Sequence, residues 1–189
     1  MRSAPQSCAV ARARLPRGRD AVRPALTDVP RQQLTYDEVG GTALSPLPAG
    51  YHHVRESRSL GVVDLDDAAE ILLTWQMHSR AGVRQVGGAP RATLDAEVTF
   101  RFLGQTIPCR VVEVIDEPHR RGFAYGTLQG HPESGEERFV VERDPTTAEV
   151  TATIIAFSRP GTWRTRLIGP AGRLLQRRMT QRYLVALQP

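Results

Sequence analysis

A turn between two predicted strands carries the side chains best suited to chemistry. Residues 122–139 read GFAYGTLQGHPESGEERF. The glycine, proline and serine residues at 130–135 predict a tight connection, because they adopt the backbone angles that turns require. The resulting hairpin would gather the polar side chains of Tyr125, Thr127, His131, Glu133, Glu136, Glu137 and Arg138. We therefore expect the functional site in this hairpin.

Two adjacent glutamates are the main candidates for acid–base chemistry. Because side chains alternate along a strand, Glu136 and Glu137 should point to opposite faces of the sheet. A carboxylate that faces an apolar interior beside Tyr125 would have a raised pKa and could act as a general acid or base. The catalytic candidates are Glu136, Glu137, Tyr125 and His131. The structural alternative is that one glutamate faces water while the other turns inward to pair with an arginine.

Metal binding and several other chemistries are disfavoured by the residue pattern. Imidazole and carboxylate groups suit zinc or iron, and His131, Glu133, Glu136 and Glu137 supply both types. Their spacing matches no metal-binding motif, and the chain contains neither CxxC nor HExxH, so we expect no metal and no cofactor. The absence of lysine excludes a Schiff base and a P-loop lysine, and there is no GxSxG nucleophile motif.

Charge is unevenly distributed along the 189 residues. The net charge of +5 lies in residues 1–31, which hold seven arginines and two acidic residues, whereas residues 32–189 hold 18 of each. Residues 1–33 combine arginine and proline without an apolar face, which predicts a disordered basic tail with no specific nucleic-acid partner. Residues 34–189 are predicted to form one domain. Two cysteines and no apolar run of about 18 residues favour a soluble cytoplasmic protein without a transmembrane segment.

Hydrophobic periodicity predicts one strand, one helix, six strands and a long C-terminal helix. An irregular lead-in at 34–50, anchored by Tyr36 and Val39, precedes them. The predicted strands are 51–60, 83–86, 94–103, 106–115, 121–128, 136–143 and 148–157, and the helices are 65–79 and 171–187. Short turns indicate an antiparallel meander. We therefore predict an α+β fold in which a curled seven-stranded antiparallel sheet grips the C-terminal helix. His78 follows Trp75 on the apolar side of the first helix and is interpreted as a core residue.

This order of elements resembles the helix-grip architecture of the START and Bet v 1-like proteins. In that fold the sheet wraps the C-terminal helix, a cavity lies between them, and two short helices follow the first strand, where we predict one. The hairpin, with VGGT at 39–42, LGVV at 60–63, TWQMHSRAGV at 74–83 and FSRP at 157–160, more closely resembles the uncharacterised protein family 0548. The resemblance covers roughly residues 34–187 and implies no mechanism, since that family has no established activity.

The function that we expect is the binding of an apolar or amphipathic small molecule between the sheet and the C-terminal helix. The predicted ligand-binding residues are Phe100, Phe102, Tyr125, Thr127, His131, Glu136 and Arg138. A cyclase- or hydrolase-like enzyme with a cavity-facing carboxylate and a non-catalytic interaction protein are the alternatives. The arginines of the C-terminal helix predict a solvated face, with an anionic membrane surface or an acidic partner as the alternative.

Overall fold

The computed structural model describes residues 32–161 and 163–189, the latter without the side chains of residues 163–173. All but the last two residues of the predicted tail at 1–33 lie outside the described residues. The strands are β1 His52–Gly61, β2 Arg84–Gly88, β3 Glu97–Phe102, β4 Gln105–Glu117, β5 Arg120–Thr127, β6 Glu133–Arg143 and β7 Val150–Pro160. The helices are α1 Leu65–Leu73, α2 Gln76–Arg80 and α3 Trp163–Ala186, and a 3-10 turn spans Gly41–Ala43.

The seven strands form one antiparallel sheet in the order β1-β7-β6-β5-β4-β3-β2. Strands β2 to β7 are neighbours in sequence order, which is the meander predicted from the short turns. Strand β1 instead pairs with β7, so that His53 lies opposite Phe157 and Ser57 lies opposite Thr153. The predicted α+β class and seven-stranded antiparallel sheet are confirmed.

Two short helices stand where periodicity predicted a single helix over 65–79. The side chain of Asp64 caps α1 by accepting hydrogen bonds from the amides of Asp66 and Asp67, at 2.7 and 3.3 Å. The helix breaks at Trp75, whose φ of 63° lies in the left-handed region. Ala68, Ile71 and Leu72 before the break are buried, and so are Trp75 and His78. The helical spacing of apolar residues therefore continues across the break, so the sequence does not show it.

Helix α3 begins earlier than predicted, at Trp163 rather than near residue 171. Gly169 and Pro170 favour an interruption, yet the helical backbone continues through both. Proline removes one backbone hydrogen bond from a helix and so weakens it locally, but a proline does not always end the helix. Among the described residues, no helix combines the length and the apolar character that a bilayer crossing requires.

The core lies between one face of the sheet, here called the inner face, and the three helices. Trp75 packs edge-on against Phe123 with ring centroids 5.2 Å apart, and its indole N–H donates to the Ala89 carbonyl at 2.9 Å. Fully buried members from α1, α2, α3 and the strands are Leu72, Trp75, Met77, His78, Phe100, Phe123, Phe139, Ile154 and Leu184. Side chains therefore fill the space between the sheet and the helix pair α1–α2.

The opposite face of the sheet, here called the back face, is covered by the lead-in at 34–50 and the adjoining Tyr51. Tyr36 is buried and meets Phe157 edge-on at 5.6 Å, and Tyr51 meets the same ring at 4.9 Å. Val39, the second predicted anchor, is 52% exposed. This part of the lead-in is instead attached to the sheet by hydrogen bonds from Gly40 and Thr42 to Glu136 of β6.

Candidate functional site

Glu136 and Glu137 lie side by side on β6 and point to opposite faces of the sheet, as strand alternation predicts. Glu136 pairs with Gly126 on β5 and Phe157 on β7, both of which face the lead-in. Glu137 pairs with Tyr125 on the inner face. The two carboxylates therefore have separate surroundings and separate roles.

The carboxylate of Glu136 is a structural anchor for the lead-in. It is 2% exposed and accepts four hydrogen bonds across almost 100 residues of chain. The Tyr36 hydroxyl and the Gly40 amide donate to Oε2, each at 2.8 Å. The Thr42 amide and hydroxyl donate to Oε1, at 3.1 and 2.5 Å. Each carboxylate oxygen accepts two of the four hydrogen bonds, so the acceptor sites of Glu136 are occupied by the lead-in.

Gly126 makes this attachment possible by leaving room for Tyr36. A Cβ atom at position 126 would lie 2.2 Å from the Tyr36 hydroxyl oxygen, well inside van der Waals contact. The motifs VGGT at 39–42, YGT at 125–127 and GEE at 135–137 thus meet on the back face through Gly40, Thr42, Gly126 and Glu136. These three motifs together attach the lead-in to the sheet.

Glu137, in contrast, points into the interior with few partners. Its Oε2 accepts a hydrogen bond from the Tyr125 hydroxyl at 3.1 Å, and the described residues supply no arginine partner. Desolvation raises the pKa of this carboxyl to about 7, although the side chain is only partly buried. Burial and the Glu137 charge raise the pKa of Tyr125 as well, so its hydroxyl stays protonated. The result is a carboxyl that can hold or release a proton near neutral pH.

His78 extends this pair into the core. Its ring stacks on Phe100 with centroids 4.4 Å apart, and its Nε2 lies 3.4 Å from the Tyr125 hydroxyl. Burial lowers the pKa of His78 to about 3, so the imidazole is neutral at neutral pH. While Tyr125 donates to Glu137, Nε2 must carry the imidazole proton, which leaves Nδ1 without a partner among the described residues. If Glu137 were protonated, it could donate to the Tyr125 hydroxyl, and Tyr125 could in turn donate to Nε2 of His78.

A second carboxyl group, Glu133, lies on the same face of β6 as Glu137. Burial raises its pKa, a hydrogen bond with Ser158 opposes the rise, and its charge helps to raise the pKa of Glu137. The Ser158 hydroxyl also accepts a hydrogen bond from the Gln176 side chain of α3 at 3.1 Å. Glu133, Glu137, Tyr125 and Ser158 together form a polar patch beside α3, which we call the inner patch.

The other residues predicted for the site lie elsewhere. His131 belongs to the β5–β6 turn, where its Nδ1 accepts a hydrogen bond from the Glu133 amide at 2.9 Å. Arg138 is on the back face and pairs with Glu113 at 2.9 Å. Thr127 hydrogen-bonds Thr35 and Gly135 at the end of β5. Phe100 is buried beneath His78, and Phe102 is partly buried at the edge of the core. In the described part of the chain, no three His, Cys, Asp or Glu side chains form a metal-binding group.

Of the polar hairpin residues proposed from the sequence, the inner patch therefore contains Tyr125, Glu133 and Glu137. The prediction did not assign functional roles to His78, Ser158 or Gln176. His78 gave a signal, because a histidine one turn after Trp75 on an apolar helix face must be buried. Ser158 and Gln176 gave none, since their meeting depends on where α3 crosses β7.

Residues 35–186 match the protein family described as Domain of unknown function (DUF1990). The chain belongs to the DUF1990 family. Two curated relatives are UPF0548 proteins, which confirms the resemblance to the uncharacterised family 0548. The protein from Deinococcus radiodurans is 45% identical over 74 residues, 39% of this chain and 37% of that protein. The protein from Dictyostelium discoideum is 44% identical over 61 residues, 29% of this chain and 28% of that protein. The aligned segments thus span less than two fifths of either relative.

Solved structures place this DUF1990 chain in the helix-grip fold. A hypothetical protein from Helicobacter pylori aligns with a TM-score of 0.59 at 10% identity, covering 72% of this chain and 85% of that one. Human STARD10 aligns with a TM-score of 0.51 at 8% identity, covering 72% and 63% of the two chains. These similarities show the fold alone. They confirm the helix-grip prediction, and the observed α1–α2 pair supplies the second short helix that the sequence did not indicate.

Proposed function

We propose that this DUF1990 protein binds an apolar or amphipathic small molecule between the inner face of its sheet and α3, with the inner patch at the polar end of the ligand. The contrast between the two adjacent glutamates is the observation that carries the proposal. Glu136 has four donors and a structural role, whereas Glu137 has one hydrogen-bond partner among the described residues, partial accessibility and a pKa raised to about 7.

The filled part of the inner face supports this position for the ligand. Under α1 and α2 the inner face is filled by Phe100, on which His78 stacks and which Trp75 meets edge-on. Glu133, Glu137 and Ser158 lie beyond this filled part, toward α3. A small molecule placed there would contact apolar strand residues such as Ala156, opposite Glu137, and would offer its donors to the carboxyl groups.

Fluorescence titration of the full-length protein with Nile red, a neutral apolar probe, tests this proposal. We expect saturable binding with a blue-shifted emission. Glu137→Gln should change the Kd at least several-fold, and Ala156→Leu should weaken binding because the larger side chain would occupy the proposed ligand position opposite Glu137. The matched control Glu142→Gln makes the same chemical change at an exposed position of the same strand and should bind like the wild type. Non-saturable binding, or identical affinities in all four proteins, would contradict the proposal.

A second candidate function is catalysis of the cyclase or hydrolase kind. The hydrogen-bonded series Glu137–Tyr125–His78 favours it, because a carboxyl with a pKa of about 7 suits general acid–base catalysis. Hydrolysis of p-nitrophenyl esters by the wild type and its absence in Glu137→Gln would support this function. Equal rates in the two proteins would reject Glu137 as the catalytic group for that reaction.

A further inference from the structure

The C-terminal half of α3 presents a stripe of exposed side chains that the inner patch does not use. Leu174, Leu175 and Val185 are 54%, 42% and 54% exposed, large values for apolar residues. Arginines accompany them along the same side. We call this surface the α3 stripe, and it consists of Leu174, Leu175, Arg177, Arg178, Arg182 and Val185, all exposed.

Helical geometry places the six residues on one side of α3. Successive residues of an α-helix are separated by about 100°, so the six fall within roughly 160° of arc. The opposite side of the helix is buried through Thr180, Tyr183, Leu184 and Leu187. Because those residues hold α3 against the core, the stripe cannot turn inward to hide its leucines.

The stripe also carries positive charge without compensation. Residues 163–186 contain six arginines and no acidic residue, although residues 32–189 as a whole are neutral. The described ion pairs include none of Arg177, Arg178 and Arg182. The neighbouring acidic side chain, Glu56 of β1, accepts a hydrogen bond from Gln181 at 3.4 Å. Helix α3 therefore carries a net positive charge, and the other residues of 32–189 carry the negative charge that balances it.

A groove beside the stripe adds a place for an anionic group. It has a volume of about 630 Å³ and lies between the end of α2 and α3, where Arg80, Gly82, Arg182 and Val185 contribute to its lining. The Arg80 guanidinium donates hydrogen bonds to the carbonyls of Ala186 and Gln188, at 3.2 and 2.9 Å. The described residues that line this groove include two arginines and no acidic side chain.

We propose that the α3 stripe docks the protein on an anionic phospholipid bilayer. The arginines lie at the level of the lipid phosphates, and Leu174 and Val185 enter the boundary between head groups and acyl chains. An acidic protein or a nucleic acid would account for the arginines but not for exposed leucines between them. An interfacial helix uses both, because burial of apolar area and attraction to anionic lipid add together. This surface is independent of the proposed ligand.

Vesicle flotation with the full-length protein tests the docking surface. We expect binding to vesicles of phosphatidylcholine with phosphatidylserine, little binding to phosphatidylcholine alone, and release as salt is raised. Replacing Arg177, Arg178 and Arg182 with glutamine should weaken binding at least tenfold. Leu174→Ser with Val185→Ser should also weaken it while leaving the salt dependence in place.

A matched control separates the stripe from general charge effects. Arg55, Arg84 and Arg101 are exposed arginines on β1, β2 and β3, and replacing all three with glutamine removes the same charge. This control should bind vesicles like the wild type. Equal loss in both triple variants would overturn the proposal, as would undiminished binding of the α3 variant, which would assign binding to residues 1–31. Failure of the wild type to bind anionic vesicles would leave an acidic protein as the partner and would also overturn it. Circular dichroism should show that every variant is folded.

Discussion

At the scale of single residues, the central finding is that two identical, adjacent side chains do different work. Glu136 and Glu137 differ only in which face of β6 they occupy. On the back face the carboxylate finds two hydroxyls and two amides. On the inner face the described residues offer it one hydroxyl donor, and burial and the nearby Glu133 raise its pKa. Environment, and not residue type, therefore separates the anchor from the candidate functional group.

Glu136→Gln should destabilise the protein. A glutamine offers one acceptor oxygen, so two of the four donors to the carboxylate would face an amide N–H₂ instead. We expect the free energy of unfolding to fall by about 2 to 4 kcal/mol, because buried donors would lose charged acceptors. Urea denaturation measures this loss, with the exposed Glu142→Gln as the control. If the two variants unfold at the same urea concentration, the attachment of the lead-in does not depend on the carboxylate.

Glu137→Gln should instead change how stability depends on pH. The pKa of Glu137 in the folded protein is about 7, above the ordinary glutamate value of 4.5. The fold favours the protonated form, so this contribution to stability is complete below pH 4.5 and is lost as the pH rises through 7. Relative to the variant, the wild type should lose about 1 to 3 kcal/mol across this window, allowing for partial accessibility. Parallel stability curves for the two proteins would contradict the assignment.

At the scale of elements, the lead-in is held by shape as well as by hydrogen bonds. Gly126→Ala would place a methyl group against the Tyr36 hydroxyl and push the lead-in from the back face. We expect a loss of about 1 to 3 kcal/mol, as for other overpacked sites. Hydrogen exchange should show faster exchange of the Gly40 and Thr42 amides. Gly87→Ala is the control, since a methyl group there meets open space, and unchanged protection in Gly126→Ala would refute the close contact.

The elements also show where sequence periodicity stops being informative. Strands and turns were predicted well, because alternation and turn residues are local signals. The break at Trp75 was missed, since a left-handed backbone at a large residue has no local signature and is held by packing of the indole in the core. The start of α3 was placed late for a related reason. Helix α3 continues through Pro170, although the sequence shows only a residue that disfavours helix at that position.

At the scale of the whole molecule, the sheet and its C-terminal helix followed from the order of elements, but the site did not. Alternation shows that Glu136 and Glu137 face opposite ways, and it cannot show which one faces inward. That depends on which face α1, α2 and α3 cover. Likewise, Ser158 joins Glu133 only because β6 and β7 pair in one register, with Gly135 opposite Ser158. Such information is held in long-range contacts, which one sequence does not display.

The attachment of the lead-in to Glu136 has a consequence for how the chain folds as it is synthesised. Tyr36 leaves the ribosome early, but its acceptor is made 100 residues later. At typical elongation rates of about 5 to 20 residues per second, the lead-in must wait roughly 5 to 20 seconds for its anchor. Strand β1 waits for a similar time, because its paired residues on β7, the last strand to be translated, lie about 100 residues further along the chain. The lead-in of the nascent chain therefore stays exposed until the β5–β6 hairpin emerges, and a chaperone could bind it during that interval.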